Sequence, residues 1–218
     1  IDGGAGRDTV DYSFYTSSDG MNVNLGSGKV SFRPEHSTGG VESVVNVENV
    51  TGGGGKDTLT GSPAVNTING GGGDDWMYGG AGNDILKGGA GLDSMSGETG
   101  NDAYDYDAVS ESPGDFYRSD GISFDYAGAS AGDRIDLSTI DANQAVSGNQ
   151  AFSFTGKTAP ASGSGLAKVW TADGYQANFG NITLVNVSTD SDKDPEMLIR
   201  AGDGTATAST WVAGDFIL

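Results

Sequence analysis

A nine-residue period runs through the middle of the chain and restricts its fold more than any other feature. In register, the copies read GGGGKDTLT from Gly52, GSPAVNTIN from Gly61, GGGGDDWMY from Gly70, GGAGNDILK from Gly79, GGAGLDSMS from Gly88 and GETGNDAYD from Gly97. Six consecutive copies fill 52–105, and an isolated copy, GGAGRDTVD, sits at 3–11. One position is acidic or its amide: Asp8, Asp57, Asn66, Asp75, Asp84, Asp93, Asp102. Two residues later comes the single apolar position: Val10, Leu59, Ile68, Met77, Leu86, Met95, Tyr104. A glycine-rich linker has no reason to keep an apolar residue at every ninth position.

Each half of the repeat has a physical reading. Glycines reach backbone angles closed to other residues, so the first part of a copy is a tight turn. The last part is a very short strand whose apolar residue faces one side and its neighbours the other. One copy makes half a coil and two make a full one, so successive coils stack as parallel strands on two faces. Leu59, Met77 and Met95 then line one sheet and Ile68, Leu86 and Tyr104 the other. The turns stack as well, with Asp57, Asp75 and Asp93 in one column and Asn66, Asp84 and Asp102 in the second. Carboxylates one coil apart repel unless a cation lies between them. Ca²⁺ takes six to eight hard oxygens, and turn carbonyls supply what carboxylates do not. The expected ligands of several calcium ions are Asp8, Gly53, Gly55, Asp57, Gly71, Gly73, Asp75, Gly80, Gly82, Asp84, Gly89, Gly91, Asp93, Gly100 and Asp102. Asn66 carries no charge, and its copy has Ser62 and Ala64 in place of glycines, so the site between 66 and 84 is expected to be weak or absent.

Composition agrees. The chain has 38 glycines and 30 acidic against 11 basic residues in 218, a net charge of −19. That charge argues against nucleic acid or an anionic membrane as partner, and no apolar run is long enough to span a bilayer. Cysteine is absent, which removes disulfides and thiolate chemistry. The expected place is outside the cell, where calcium is plentiful. The opening Ile1-Asp2-Gly3-Gly4 begins inside a motif and without an initiator methionine, so a fragment or processed product is expected.

The repeat is similar to the calcium-binding G-G-x-G-x-D-x-U-x motif of parallel β-rolls. The whole chain resembles the C-terminal region of bacterial RTX proteins exported by type I secretion. Its nearest likeness is to the C-terminal domain of serralysin-type metalloproteases, through DRIDLSTIDAN at 133–143 and GNQAFSFTG at 148–156. The last four residues, Asp215, Phe216, Ile217 and Leu218, resemble that family's export motif. The resemblance implies an all-β chain: a right-handed parallel β-roll over 1–110 with an inserted hairpin region at 12–50, then a β-rich cap and secretion-signal region over 111–218. It implies calcium and the type I secretion machinery as partners, an upstream catalytic or binding domain, and a secreted bacterial protein. The function expected is calcium-dependent folding and export of a non-catalytic module, with a polysaccharide-binding or adhesion module as the alternative. There is no HExxH here, so a protease domain would lie upstream. The acidic stretch 190–196 offers Asp190, Asp192 and Asp194 at ligand-like spacing, but lacks a turn glycine and carries Lys193.

In the flanks, Asn22–Leu25 and Val30–Phe32 alternate like strands around Gly26-Ser27-Gly28, and Val44–Val50 reads as another strand. Short strands are expected at 121–126 and 134–137, and a helical turn over 138–145. Phe152, Phe154, Trp170, Tyr175, Phe179 and the ITLVNV run at 182–187 supply the bulk that a cap needs. Catalytic motifs fail on inspection. His36 is the only histidine. Gly128-Ala129-Ser130-Ala131-Gly132 matches G-x-S-x-G, but no histidine follows it to act as base. Gly55-Lys56 is followed by Asp57 where a phosphate loop needs Ser or Thr. Trp76 and Tyr78 flank the inward Met77 and should point outward. They could serve packing against the insertion, domain docking or glycan stacking.

Overall fold

The computed structural model describes residues 1–16, 18, 20–32, 41–112, 119–123, 132–140, 153–154, 168–176, 180–188, 197–202 and 216–218. The chain is all-β and largely parallel, and among the described residues its only helical segment is a single 3₁₀ turn at Val109–Glu111. It divides into two compact units, Ile1–Ala103 and Tyr104–Leu218.

In the first unit the repeat dictates the architecture. Strands β6 (Thr58–Ser62), β8 (Trp76–Ala81) and β10 (Ser94–Thr99) pair in parallel with one another. On the second sheet β1 (Thr9–Asp11), β5 (Asn49–Thr51), β7 (Thr67–Gly72) and β9 (Ile85–Ala90) do the same. Each pairing within the repeats joins residues eighteen apart, such as Leu59 with Met77 and Ile68 with Leu86. That is the full coil expected from two copies. The apolar positions stack accordingly: Val23, Leu59, Met77 and Met95 on one sheet, Val10, Val50, Ile68 and Leu86 on the other, all buried. A core one side chain deep per strand buries little apolar area, so the turns must contribute much of what holds the coils together.

The hairpin forms where alternation places it, as β2 (Met21–Asn24) and β3 (Lys29–Phe32) in antiparallel register, with β4 (Val41–Ser43) beside β3. It extends the sheet sideways, because β2 also pairs in parallel with β6. The 44–50 stretch is not one strand. Only Asn49 and Val50 belong to a strand, at the start of β5; Val45 makes a single bridge to Asp2, and Asn46, at a φ of 52°, ends any extended run. Tyr12, Tyr15 and Phe32 cluster there, with Tyr15 stacked on Phe32 at 4.9 Å.

The second unit begins within β11 (Ala103–Asp105). It contains β12 (Asp120–Ser123), β13 (Arg134–Asp136), β14 (Ser153–Phe154), β15 (Lys168–Gln176), β16 (Gly180–Ser188), β17 (Met197–Gly202) and β18 (Phe216–Ile217). The ITLVNV run lies in β16, which pairs antiparallel with both β15 and β17. Strand β12 lies parallel to β17, and β13 to β18. Val185, Val187, Met197, Ile199, Ile122 and Ile135 are buried, a denser apolar set than any coil of the roll provides. At 138–140 the chain makes a turn; the rest of the expected helical turn, 141–145, lies outside the described residues.

Candidate metal-binding site

The repeat aspartates form two ladders. In the first, the Asp57 N–H donates to Asp75 Oδ1 at 2.8 Å and the Asp75 N–H to Asp93 Oδ1 at 2.9 Å. In the second, the Asn66 N–H donates to Asp84 Oδ1 at 2.7 Å and the Asp84 N–H to Asp102 Oδ1 at 2.8 Å. Backbone bonds run alongside, from Trp76 N–H to the Asp57 carbonyl and from Ser94 N–H to that of Asp75. One carboxylate oxygen of each rung thus satisfies the amide of the coil before it. All six rung residues from 57 to 102 are at most 2% exposed.

The second oxygen is the informative one. Oδ2 of Asp75 and of Asp84 is buried with no hydrogen-bond partner, and so is Oδ2 of Asp8. Burial pushes the Asp75 carboxyl up to about 8, opposed by the Asp57 amide and assisted by the carboxylates of Asp93, Asp57 and Asp74. Burial likewise raises Asp84 to about 6 and Asp93 to about 6. Rungs one strand spacing apart, about 5 Å, repel by about 3 kcal/mol at an effective dielectric near 20 when both are charged. Ionised rungs are stable together only with a cation between them.

The glycines make room for this arrangement. A Cβ on Gly70 would overlap Asp75 Oδ2, and one on Gly79 would overlap Asp84 Oδ2. The carbonyls of Gly53 and Gly55 point at the next coil, where a Cβ on Gly71 or Gly73 would come within 2.5 Å of each. Both of those glycines have positive φ, 94° and 103°, as do Gly80, Gly82, Gly89, Gly91 and Gly100. Buried carboxylate oxygens and turn carbonyls, with no nitrogen or sulfur, form a hard-oxygen set that fits Ca²⁺. Among the described residues no group of three or more His, Cys, Asp or Glu side chains converges on one point. The ladders bring carboxylates together in pairs, with turn carbonyls beside them.

Asn66 behaves differently. Its Nδ2 donates to the Glu48 carbonyl at 2.6 Å and to Ser62 Oγ at 3.2 Å. The amide bridges to the preceding coil with its own hydrogen atoms, where an aspartate would present another anionic oxygen.

Glu48 and Asn46 belong to a copy without glycines, 43–51, that sequence reading missed. Glu48 Oε2 accepts the Asp8 N–H at 2.9 Å, a bond of the same kind as those in the ladders. Asn46 takes the left-handed turn position, and Val50 joins the apolar column. The surviving signal was an acid two residues before a valine, in register with Gly52. In the second unit, Asp120 and Asp133 show the same spacing before Ile122 and Ile135 and are 0% and 5% exposed. They too went unmarked. Phe216 is 6% exposed, with β18 paired to β13, whereas Asp215, Asp190, Asp192, Asp194 and His36 lie outside the described residues.

Comparison with known proteins bears on the repeats first. The RTX calcium-binding nonapeptide repeat (4 copies) matches residues 51–86 and 78–108. No curated protein matches the chain. A solved subunit of the mannuronan C5-epimerase of Azotobacter vinelandii is similar at 26% identity and a TM-score of 0.48, over 74% of this chain and 79% of that one. The expected likeness to a serralysin-type domain is therefore corrected: the match is to the repeat itself, and to a subunit of an epimerase rather than a protease. The physical reason is that the repeat answers a calcium-binding requirement and carries no mark of the enzyme attached to it. Segment 148–156, part of what suggested a protease, is described only at Ser153 and Phe154. The chain carries an RTX calcium-binding repeat folded as a parallel β-roll.

Proposed function

We propose that this chain is a calcium-folded, non-catalytic module of a secreted carbohydrate-active protein, and that its folded roll binds polysaccharide. The observation behind the calcium part is the pair of ladders, in which buried carboxylates face one another with an oxygen of Asp75 and of Asp84 unsatisfied. Asp57, Asp75, Asp93, Asp84 and Asp102, with the carbonyls of Gly53, Gly55, Gly71, Gly73, Gly80, Gly82, Gly89, Gly91 and Gly100, are the ligands. Asp8 is a further ligand on the first coil. Bound calcium supplies charge neutralisation and cross-links between coils. Because it binds the folded chain and not the unfolded one, stability rises with its concentration by mass action. Where calcium is scarce, as inside a cell, the acidic chain stays loose enough to be threaded out; outside, it folds.

The tail Asp215–Leu218 is the export signal in this account. Folding buries Phe216 against β13, so the secretion machinery reads the tail before the second unit forms. The polysaccharide part rests on two large aromatics exposed side by side on one strand face, Trp76 at 45% and Tyr78 at 39% exposure. The hairpin that could have covered them lies in the plane of their own sheet. The test is affinity electrophoresis of the whole chain through native gels containing alginate or a neutral glucan. Retardation in calcium that disappears on chelation is expected. Equal mobility in every gel would overturn the binding role.

A further inference from the structure

The outward face around Trp76 is mostly uncharged. Strands β6, β8 and β10 present residues to solvent in registered rows: Thr58, Trp76 and Ser94 in one, Thr60, Tyr78 and Ser96 in the next, and Ser62, Gly80 and Glu98 in a third. The two rows that hold the aromatics carry no charge, and Glu98 in the third is the one charged residue among the nine, on a chain whose net charge is −19. The adjoining β2 adds two outward asparagines to the same sheet. The other sheet carries Asp11 and Lys87 at corresponding outward positions.

Trp76 and Tyr78 are neighbours on one strand face, about 7 Å apart along it, and are flanked on both sides by short hydroxyl side chains. Lys56 reaches over one face of Trp76, its Nζ 5.0 Å from the ring centroid and 3.8 Å from Asp74 Oδ2, which leaves the other face of that ring and the Tyr78 ring to a ligand. An aromatic plane offers its face to the C–H groups of a pyranose, and threonine, serine and asparagine offer paired donors and acceptors to its hydroxyls. Rows of polar side chains repeat at the strand spacing, about 4.8 Å, across the sheet. A linear glycan lying across the strands meets a fresh hydroxyl at each step.

We infer that this face, centred on Trp76 and Tyr78, binds an uncharged polysaccharide, a claim that rests on the polysaccharide-binding reading above. Charge selects the class. A polyanion would be repelled by the chain's overall field and, among the described residues beside the aromatics, would meet Lys56 already paired with Asp74 and a further carboxylate at Glu98, whereas a neutral chain loses nothing to that field. The surface is also calcium-gated by construction. Strand β8 follows Asp75 directly, and the Trp76 N–H is held by the Asp57 carbonyl, so the rows come into register only when the ladder does.

The experiment is native gel electrophoresis in calcium through hydroxyethylcellulose, galactomannan, dextran and alginate, comparing the wild type with a Trp76→Ala, Tyr78→Ala double variant. Both substitutions are on the solvent side of the sheet, and far-UV circular dichroism of the variant is the control that the calcium-bound fold is kept. The inference expects retardation by at least one neutral polymer and about tenfold weaker retardation, or more, in the double variant, given what two aromatic stacks contribute. Retardation by alginate alone, or retardation unchanged in the double variant, would overturn the inference while leaving a polysaccharide-binding module. No retardation by any polymer would overturn both.

Discussion

Replacing Asp75 with asparagine separates the two roles of the ladder carboxylate. Asparagine Oδ1 can still accept the Asp57 N–H, so the rung-to-rung hydrogen bond survives. The charge does not. Without calcium, burial holds the Asp75 carboxyl at about 8 against 3.8 for a free one. At pH 7 the folded chain therefore bears a protonation cost set by the gap from 3.8, on the order of 4 kcal/mol. Asp75→Asn removes that cost, so the variant should be more stable than wild type in chelator, by up to that amount. In calcium the sign reverses. Asp75 lies in the middle of its column and serves the interfaces with both Asp57 and Asp93. Losing two sites that are saturated a hundredfold above their Kd costs about 5 kcal/mol. Thermal melts followed by circular dichroism, in EDTA and in millimolar calcium, read both halves. A variant that loses the same stability in both conditions would mean that the carboxylate acts only as a hydrogen-bond acceptor, and the ladder argument would fail.

Other consequences follow from the same geometry. Because the folded-state values of Asp75, Asp84 and Asp93 lie above 3.8, the folded apo chain holds more protons than the unfolded one from about pH 4 to 8. Its stability falls as pH rises through that window; chelated protein should gain β signal on acidification from pH 8 to 5, and a signal independent of pH would count against the buried ladder. Asn66→Asp should lower stability in EDTA by about 1–3 kcal/mol, through loss of the bond to the Glu48 carbonyl, and should add calcium to the stoichiometry measured by titration calorimetry; an unchanged stoichiometry would show that the coil before it cannot complete a site. Gly70→Ala, whose Cβ would collide with Asp75 Oδ2, should abolish the calcium-induced transition, whereas Gly4→Ala, at φ 92° with nothing within 4 Å, should cost only about 1 kcal/mol of backbone strain. Equal melting temperatures for those two variants would contradict the packing role of the first glycine.

The roll was legible because its constraint is local and repeated. The eighteen-residue coil, the apolar columns through Leu59 and Ile68, and the aspartate columns all follow from reading the period in register. What escaped is where one requirement of the repeat is met by a different residue. In 43–51, asparagine takes the glycine's positive φ and glutamate the aspartate's place, so a pattern keyed to glycine passes over it. Asp120 and Asp133 keep the spacing but have lost the turn sequence around it. The long antiparallel pairing of β15 with β16 was out of reach for another reason. Alternation in ITLVNV fixes which residues face inward, but a strand's partner depends on residues far along the chain. The protease likeness failed because a metal-binding repeat records the ion it holds and not the enzyme it accompanies.

The central claim is that calcium builds the roll, and the direct test is a calcium titration of this whole chain followed by far-UV circular dichroism, with magnesium as control. The account predicts a cooperative gain of β signal in calcium, reversed by chelation and absent in magnesium, which keeps its waters and demands a tighter octahedral shell. A fully folded spectrum that thorough chelation leaves unchanged would contradict it.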